Sequence, residues 1–308
     1  MSTSAEKKLL IVICGPTATG KTGLSVDLAK RLQTEVLSAD SRQFFKEMLI
    51  GTARTTEVEM NGVEHHLSGH LSVSENYSAG MFEREALQTL SKLFSKKSIV
   101  IMCGGSGLYI KAVCEGIDYL PEISEQIREQ LNEEFDKEGM DYLRELAEKS
   151  DPDFYKTIDK NNPRRLIRML EVFRASGKPI SFFYKKEKAS RPFEILKIGL
   201  EMPREKLYER INLRVDKMIE SGLVEEVKSL EKHWNHPNLK TVGYQEIIAH
   251  LRGETDLNTA IEEIKKNSRR YAKRQFTWFR NDKTINWFDT EEKDSIFAFV
   301  YEKIKLLQ

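Results

Sequence analysis

The sequence predicts an α/β protein with a parallel sheet and a smaller all-helical insertion. Four short apolar runs, at residues 9–14, 35–39, 98–103 and 194–200, have the length and composition of buried strands. Helix-like runs separate them, and the first three strands end at turns that carry glycine or aspartate. Strands that alternate with helices form parallel sheets, which bind ligands at their carboxyl edge.

The insertion is predicted from a change in composition along the chain. Residues 122–191 are rich in Glu, Lys, Arg and Leu at helical spacing, with breaks at Gly, Pro and Asn. We therefore expect a core domain of residues 1–121 and 192–308 and an insertion domain of residues 122–191. Long helices are expected at 203–221, 224–233 and 256–280.

A phosphate-binding motif follows the first predicted strand. The pattern GxxxxGKT occupies Gly15, Pro16, Thr17, Ala18, Thr19, Gly20, Lys21 and Thr22. Its backbone N–H groups can surround one anion, Lys21 supplies a cation, and the Thr22 hydroxyl can bind Mg²⁺. Because a strand precedes the motif and a helix-like run follows it, we interpret it as a P-loop and expect a P-loop NTPase-like core.

Two other turns are predicted at the same edge of the sheet. Asp40, at the end of the second strand, could bind Mg²⁺, accept a proton from a substrate amine, or simply cap a turn. The turn at residues 104–107 carries Ser106, whose hydroxyl could bond the oxygen that leaves with a phosphate group. Glycines between a strand and a helix are also common for packing reasons alone. The turn at residues 104–107 is therefore a candidate for the site only because it is expected at the same sheet edge as the P-loop and Asp40.

Two basic segments predict a nucleic-acid partner. Residues 265–283 carry eight basic residues and one acidic residue in a chain of net charge +1. On a helix, most of these cations fall on one half and most of the aromatic residues on the other, which favours polyanion binding over a merely solvated face. A second cluster follows Pro163 and consists of Arg164, Arg165 and Arg168. Two such surfaces suggest a clamp on one folded nucleic acid.

The remaining charged and sulfur-bearing residues give weaker signals. Arg210 and Arg214 could point into the phosphate crevice or pair with nearby glutamates. The histidines at 65, 66 and 70 complete no recognisable ligand pattern, so a loop or packing role is favoured over a metal site. The three cysteines lack paired spacing and are expected to be buried thiols. With no membrane-length apolar run, a cytoplasmic protein without membrane contact is expected.

The motifs taken together closely resemble the bacterial tRNA dimethylallyltransferases, also called the IPP transferase family. The resemblance runs through nearly the whole chain. It rests on GPTATGKT, SADSRQFF, GTAR, YSAGMF, GGSGLY, NNPRRLIRMLEV, VGYQE and YAKRQFTWFR, which begin at residues 15, 38, 51, 77, 104, 161, 242 and 271. It implies transfer of a dimethylallyl group from dimethylallyl diphosphate to N6 of adenosine 37 of tRNA, with Mg²⁺. A monomer is expected, because two lobes already provide a clamp.

The resemblance also implies roles for individual residues. Asp40 would be the general base, with Lys21 and Ser106 also catalytic. The P-loop and Arg214 would hold the diphosphate, and Thr22 the metal. The base must be extruded to reach such a crevice. The tRNA-binding residues would be Asp40, Ser41, Arg42, Gln43, Ser106, Arg128, Arg164, Arg165, Leu166, Ile167, Arg168, Val242, Gly243, Tyr244, Gln245, Lys273, Arg274, Gln275, Thr277, Trp278 and Arg280.

A few positions depart from the pattern of the family. Ser106 stands where threonine is common and keeps the hydroxyl. Arg164 replaces a common glutamine, exchanging an amide that could read a base edge for a cation suited to phosphate. Phe45 and Asn162 replace a common tyrosine and aspartate.

Three other functions would also use a P-loop or Asp40, and the sequence disfavours each of them. A small-molecule P-loop kinase has no need of the basic segment at 265–283. A nucleotide switch would carry an Asn-Lys-x-Asp motif, which is not found. A prenyltransferase for free adenine nucleotides has no use for a helical lobe with its own arginine cluster.

Overall fold

The computed structural model describes residues 7–184 and 187–307. The chain divides into two compact units. The first comprises Met1–Glu115 and Ser190–Gln308, and the second is Gly116–Ala189. The boundaries predicted from composition, after residues 121 and 191, fall six and two residues later along the chain. Each unit has a hydrophobic core of its own.

A six-stranded parallel sheet forms the centre of the first unit. Its strands are β1 (Leu9–Cys14), β2 (Val36–Ser38), β3 (His65–His66), β4 (Ile99–Gly104), β5 (Glu194–Glu201) and β6 (Ile285–Asp289), in the spatial order β3-β2-β4-β1-β5-β6. Every residue of β1 is buried, since the strand lies between two neighbours and has helices on both faces. This confirms the predicted α/β class; the short edge strands β3 and β6 were not predicted.

The alternation of β1 side chains builds two separate cores. Leu10 and Val12 pack on one face of the sheet, and Ile11 and Ile13 on the other. The helices of this unit are α1 (Lys21–Arg31), α2 (Glu57–Met60), α3 (Ala79–Phe94), α4 (Gly107–Glu115), α8 (Arg204–Glu220), α9 (Leu223–Ser229), α10 (Tyr244–Leu251), α11 (Leu257–Arg280) and α12 (Lys293–Leu307). A third core lies among α8, α9, α10 and α11.

Helix α11 carries the first basic segment. Asp256 caps its start by accepting the Thr259 N–H, and its buried stripe contains Ala260, Ile264, Ala272, Gln275 and Phe279. Trp278 is one of the aromatic residues expected on the half of this helix away from the cations, but it is 44% exposed. A polar residue, Gln275, occupies the buried stripe instead.

The second unit is entirely helical within its described residues. It contains α5 (Glu125–Ser150), α6 (Pro152–Tyr155), α7 (Pro163–Ser176) and a 3₁₀ turn at Ile180–Phe183. Gly139 interrupts α5 with a positive φ of 79°, which glycine adopts without strain. Asn162 caps α7, Pro163 occupies its first position, and Gly177 ends it in the left-handed region. No helix in the described part of the chain is both long and apolar enough to cross a membrane.

Candidate active site

The loops after β1, β2 and β4 meet at the carboxyl edge of the sheet. The Ser106 N–H lies 3.3 Å from the Ala39 carbonyl oxygen, and the Ser41 N–H donates to the Ser106 hydroxyl at 2.8 Å. A Cβ at Gly104 would collide with the Ala39 carbonyl, so only glycine permits this approach. The Asp40 loop is therefore held directly against the turn that follows β4.

The hydroxyl of Ser106 is already engaged within the protein. It accepts the Ser41 N–H and donates to the Ser41 hydroxyl at 3.0 Å. Its contact with a leaving oxygen stays a prediction. In this structure its role is to hold the loop that presents Asp40.

The P-loop has the backbone geometry of an anion site. Gly15 has a φ of 137° and packs against the Leu200 carbonyl oxygen, which a Cβ would approach to 2.6 Å. Gly20, with a φ of 86°, leads into the N-terminus of α1, whose first turn carries no acidic residue. That helix end favours negative charge.

Lys21 lies inside this loop. Its Nζ donates to the Pro16 carbonyl at 2.6 Å. Burial lowers the pKa of Lys21 below that of an ordinary lysine, and the nearby Asp40 carboxylate opposes the effect. An arriving diphosphate would supply the negative charge that such a buried cation lacks.

Arg214, on α8, points into the crevice rather than to a glutamate. Its guanidinium donates to the Thr17 hydroxyl at 3.1 Å and to the Ala53 carbonyl at 3.4 Å. Burial lowers its pKa, and the Asp40 carboxylate acts in the opposite direction. In the described residues, no carboxylate lies within 4.0 Å of the guanidinium of Arg214 or Arg210. Both therefore bring positive charge to the P-loop side of α8.

Gln275, expected among the tRNA contacts, is used inside the protein. Its Oε1 accepts the Thr17 N–H at 2.9 Å, and its Nε2 donates to the Gly105 carbonyl at 2.8 Å. The residue is 5% exposed, and both ends of its amide are used within the protein. In this structure Gln275 fixes the P-loop against the turn after β4, and its part in tRNA binding stays a prediction.

Two large cavities share Arg214 and Met218 in their walls. One, of about 1170 Å³, lies beside the P-loop and α8. It combines cations (Lys21, Lys206, Arg210, Arg214) with apolar side chains (Leu200, Met202, Leu213, Met218). The other, of about 380 Å³, is lined by Thr17, Asp40, Arg42, Arg214, Gln245, Tyr271 and Arg274. The region around Thr17 and Arg214 therefore opens to two sides.

Tyr271 was not singled out from the sequence as a site residue. It lines the 380 Å³ cavity together with Asp40. Burial raises the pKa of its phenol, and the Asp40 charge adds to the effect. The phenol therefore stays protonated and can donate a hydrogen bond to a substrate atom placed beside Asp40.

A carboxylate on α9 holds another wall of the site. Glu226 accepts the N–H groups of Leu49, Ile50 and Gly51 at 2.9, 2.7 and 3.0 Å. The same carboxylate accepts the Tyr244 hydroxyl at 2.6 Å. The loop held in this way provides the Ala53 carbonyl that Arg214 contacts, and Glu226 was not identified from the sequence.

The expected tRNA segment at residues 242–245 is only partly accessible. Tyr244 is fully buried in the core among α8 to α11, so its expected side-chain contact with tRNA is wrong. Gly243 has a φ of 95°. Gln245 lines the 380 Å³ cavity and donates to Glu246 at 2.9 Å. Val242 is half-buried against the same core.

Residues 41–43, also expected to contact tRNA, already make different hydrogen bonds within the protein. Arg42 donates to the Asn238 carbonyl at 3.4 Å, and Ser41 bonds Ser106. Gln43 donates to the carbonyls of Thr52 and Ala53 at 3.2 and 3.0 Å. All three side chains are half-buried.

Several cations of α11 are paired with neighbouring side chains, which corrects the expectation of one free basic face. Lys265 pairs with Asp216 at 2.8 Å and Lys266 with Glu263 at 2.7 Å. Arg269 donates to Asn212, and Arg280 pairs with Glu201. The exposed members at this end of the helix are Arg270, Lys273, Arg274, Thr277, Trp278 and Arg280. Trp278 packs on Gly107, where a Cβ would collide with its ring.

In the helical unit, one buried carboxylate organises two of the expected arginines. Glu171, 4% exposed, accepts Arg128 Nε at 2.8 Å and Arg168 Nη1 at 2.9 Å. Arg164 and Arg165 are exposed at the start of α7, and Ile167 is half-buried. Leu166 is completely buried, so its expected side-chain contact with tRNA is wrong.

The three cysteines are free thiols, and two of the histidines lie beside carboxylates. Cys14 and Cys114 are free thiols, and burial raises the pKa of each to about 12. His66 contacts Glu35 at 2.7 Å, and His70 lies 3.5 Å from Glu85. The sequence pattern did not reveal that Glu64 also lies near His66 and Glu35.

The fold and the site together define a P-loop α/β protein with exposed cations on a helix beside the P-loop. The sequence profile described as "IPP transferase" matches residues 43–282. The chain belongs to the IPP transferase family. The matched segment covers both basic segments and begins after the P-loop and Asp40.

Individual relatives agree with this assignment. The tRNA dimethylallyltransferase of Cytophaga hutchinsonii is 48% identical over 97% of this chain and 98% of its own. That of Christiangramia forsetii is 49% identical over 96% and 98%. Among solved structures, the tRNA isopentenylpyrophosphate transferase of Bacillus halodurans superimposes with a TM-score of 0.72 at 38% identity, covering 98% of each chain. A eukaryotic dimethylallyltransferase acting on tRNA gives 0.76 at 27% identity, covering 92% of this chain and 74% of its own.

Proposed function

We propose that this protein transfers a dimethylallyl group from dimethylallyl diphosphate to N6 of adenosine 37 of tRNA, with Mg²⁺, and acts as a monomer. Family membership supports the class of reaction, and the two-sided crevice carries the proposal. A nucleotide switch needs one ligand cavity at the P-loop, and a small-molecule kinase has no need of exposed cations beside its acceptor site. Here a second cavity opens on the other side of Arg214, beside Asp40 and the exposed part of α11.

The larger cavity suits the prenyl donor. Its cations and the P-loop N–H groups bind the diphosphate, while its apolar side chains accommodate the five-carbon group. Lys21 and Arg214 both contact the P-loop, at the Pro16 carbonyl and the Thr17 hydroxyl. Desolvation lowers the pKa of each, and a bound diphosphate would offset that desolvation.

The donor set near the P-loop fits Mg²⁺. The Thr22 hydroxyl and the Asp40 carboxylate line one small cavity of about 60 Å³ and offer the oxygen ligands that Mg²⁺ prefers. In the described residues, the Thr22 hydroxyl makes no hydrogen bond to protein. Thr22 would hold the ion. When bound, Mg²⁺ supplies positive charge to the diphosphate as it leaves.

The smaller cavity suits the acceptor base. Asp40 and Tyr271 line it, and the exposed cations of α11 border it through Arg274. The adenosine N6 lone pair forms a bond to C1 of the dimethylallyl group while the C1–O bond breaks. The bonding electrons pass to the diphosphate oxygen, and the N6 proton passes to the Asp40 carboxylate.

The protein would bind tRNA through contacts to its phosphates and not by reading base edges in a groove of the RNA. Exposed Arg270, Lys273 and Arg274 supply cations on α11, and Trp278 supplies an aromatic face suited to stacking. Arg128, Arg164, Arg165 and Arg168 provide a second set on the helical unit. The target base must leave its stack to reach Asp40.

The test is a product assay. The protein is incubated with dimethylallyl diphosphate, Mg²⁺ and either unmodified tRNA or AMP, and the nucleosides are analysed by mass spectrometry. We expect N6-dimethylallyladenosine only from tRNA, at position 37. Product from AMP alone, or phosphate release from ATP without prenylation, would contradict the proposal.

An Asp40→Asn variant tests the assignment of the base. Loss of a general base lowers turnover by about 10²- to 10⁴-fold. Binding of tRNA should persist in this variant. An equal loss of tRNA affinity and turnover would show instead that Asp40 is structural.

A further inference from the structure

His65 carries a buried nitrogen without a partner. Among the described residues, its Nε2 is a buried side-chain polar atom that makes no hydrogen bond. Such atoms in native proteins usually have an ordered water or ion as partner. His65 Nε2 therefore needs a hydrogen-bond donor that the described protein groups do not provide.

The backbone fixes which form of the ring is present. Nδ1 of His65 lies 3.0 Å from the Val63 carbonyl oxygen, which can only accept a hydrogen bond, so Nδ1 carries the proton. Pairing of β3 with β2, where His65 lies opposite Val36, holds the ring in place. Burial also lowers the pKa of His65, which keeps the ring neutral and Nε2 an acceptor.

The ring lines the small cavity beneath the P-loop. Thr22, Ser38 and Asp40 line the same cavity, which at about 60 Å³ has room for a few water molecules. Two hydroxyls in its wall bond elsewhere: Ser25 donates to the Thr22 carbonyl and Thr52 to the Met48 carbonyl. Among the described residues no group of this wall bonds Nε2, and a water molecule in the cavity can donate to it.

We propose that His65 is a positioning residue for the metal: its Nε2 accepts a hydrogen bond from a water molecule bound to the Mg²⁺ that Thr22 holds. The inference rests on the proposed function. Mg²⁺ keeps several waters and prefers oxygen ligands, so an imidazole near it acts through a water and not as a direct ligand. A metal-bound water is also a stronger donor than a free one, because the cation polarises it.

The test uses inorganic diphosphate and does not require turnover. Its affinity is measured by calorimetry with and without Mg²⁺ in the wild type and in His65→Ala. Outer-sphere partners of metals are typically worth about 10- to 100-fold in metal affinity. We expect the Mg²⁺-dependent part of diphosphate binding to weaken by that factor, and the metal-free affinity to stay within about twofold of wild type.

His66→Ala is the matched control. His66 lies next in the same strand but contacts Glu35, so it should leave Mg²⁺-dependent binding unchanged. His65→Gln keeps a side-chain acceptor and should recover part of the affinity. His65→Gln also replaces His65→Ala as the test variant if a thermal unfolding experiment shows that His65→Ala is not folded.

Three results would overturn the inference: unchanged Mg²⁺ dependence in His65→Ala, equal losses with and without Mg²⁺, or an equal effect of His66→Ala. The first would mean an ordinary structural water, and the second general damage to the loop. The outcome is separable from the proposed function. A wild-type protein that binds Mg²⁺ and diphosphate through His65 yet does not prenylate tRNA would refute the transferase proposal alone.

Discussion

The Gln275 side chain accepts the backbone N–H of Thr17 at 2.9 Å, across 258 positions of the chain. Its amide nitrogen donates to the Gly105 carbonyl, so one side chain joins the P-loop to the turn after β4. Gln275 lies on α11, the helix that also presents Arg274 and Trp278 at the surface. The helix with exposed cations therefore also shapes the P-loop.

Gln275→Ala should weaken diphosphate binding without changing any group at the surface. It leaves the Gly105 carbonyl and the Thr17 N–H unpaired, and a buried group left without a partner costs about 1–3 kcal/mol. Calorimetry with diphosphate and Mg²⁺ measures the loss. Thr277→Ala, an exposed change on the same helix, is the control. Equal affinities of the two variants would show that the P-loop holds its shape without Gln275.

Arg274→Ala should weaken tRNA binding in a salt-dependent way. Arg274 is exposed and borders the cavity that contains Asp40. Loss of one phosphate contact reduces the slope of log affinity against log salt by about 0.7–0.9. Filter binding at several salt concentrations measures that slope.

Lys265→Ala is the matched control for Arg274→Ala. Lys265 is already bound by Asp216 and Glu262, at 2.8 and 3.0 Å, and should contribute little to the slope. A larger slope change for Lys265→Ala than for Arg274→Ala would place the tRNA surface elsewhere on the helix.

Glu171→Gln should destabilise the helical unit and lower the apparent tRNA affinity. A neutral amide replaces the carboxylate that holds Arg128 and Arg168, at an estimated cost of about 1–3 kcal/mol in unfolding free energy. Urea unfolding measures the stability, and filter binding the affinity. We expect the affinity to fall because two cations lose their fixed geometry.

Glu134→Gln separates stability from recognition in that experiment. Glu134 binds Arg174 through both oxygens, at 2.8 and 2.7 Å, and that pair is about 30% exposed. Loss of this ion pair should lower the free energy of unfolding by less than about 1 kcal/mol and leave the tRNA affinity unchanged. If Glu171→Gln behaved in the same way, the arginine pair would have no part in tRNA binding.

As pH rises, the affinity for diphosphate should begin to fall at a lower pH than it would if Lys21 had the pKa of an ordinary lysine. Burial lowers the pKa of Lys21 in the free protein, so above that pKa the amine is neutral and must take up a proton to bind the anion. Affinity therefore declines as pH rises towards 10.5. A guanidinium stays charged throughout this range, so Lys21→Arg should show a smaller decline.

Titrating wild type and Lys21→Arg in parallel removes the contribution of the diphosphate's own ionisation, which is common to both. Calorimetry in buffers of different ionisation enthalpy measures the proton uptake directly. Parallel pH profiles for the two proteins would contradict the assignment of the titration to Lys21.

The parts of the fold predicted from sequence were those with strong local signals. The six apolar residues of β1 and the P-loop motif predicted a strand followed by a glycine-bearing loop and a helix, and these are present. The two-residue strand β3 is too short for a pattern to emerge, and the five residues of β6, INWFD, form no continuous apolar run. Both exist because a neighbouring strand offers hydrogen bonds, which a single segment does not reveal.

The candidate site was predicted only as far as residue chemistry allows. Residue type and spacing placed Lys21 and Asp40 at one edge of the sheet. They could not distinguish the exposed Arg274 from the paired Lys265, since the partner of Lys265 lies on another helix. The burial of Tyr244 and Gln275 also depends on packing between distant segments, and a motif that contains them does not separate ligand contacts from supports.

The carboxylate of Glu226 supports a wall of the 1170 Å³ cavity without lining that cavity itself. Three consecutive amides wrap around it, yet it is not among the residues that line either large cavity. A redesign of this enzyme for longer prenyl chains, guided only by the side chains that face the substrate, would leave it out. The part of the wall formed by Leu49, Ile50 and Ala53 is held from α9, one layer behind the residues that face the cavity.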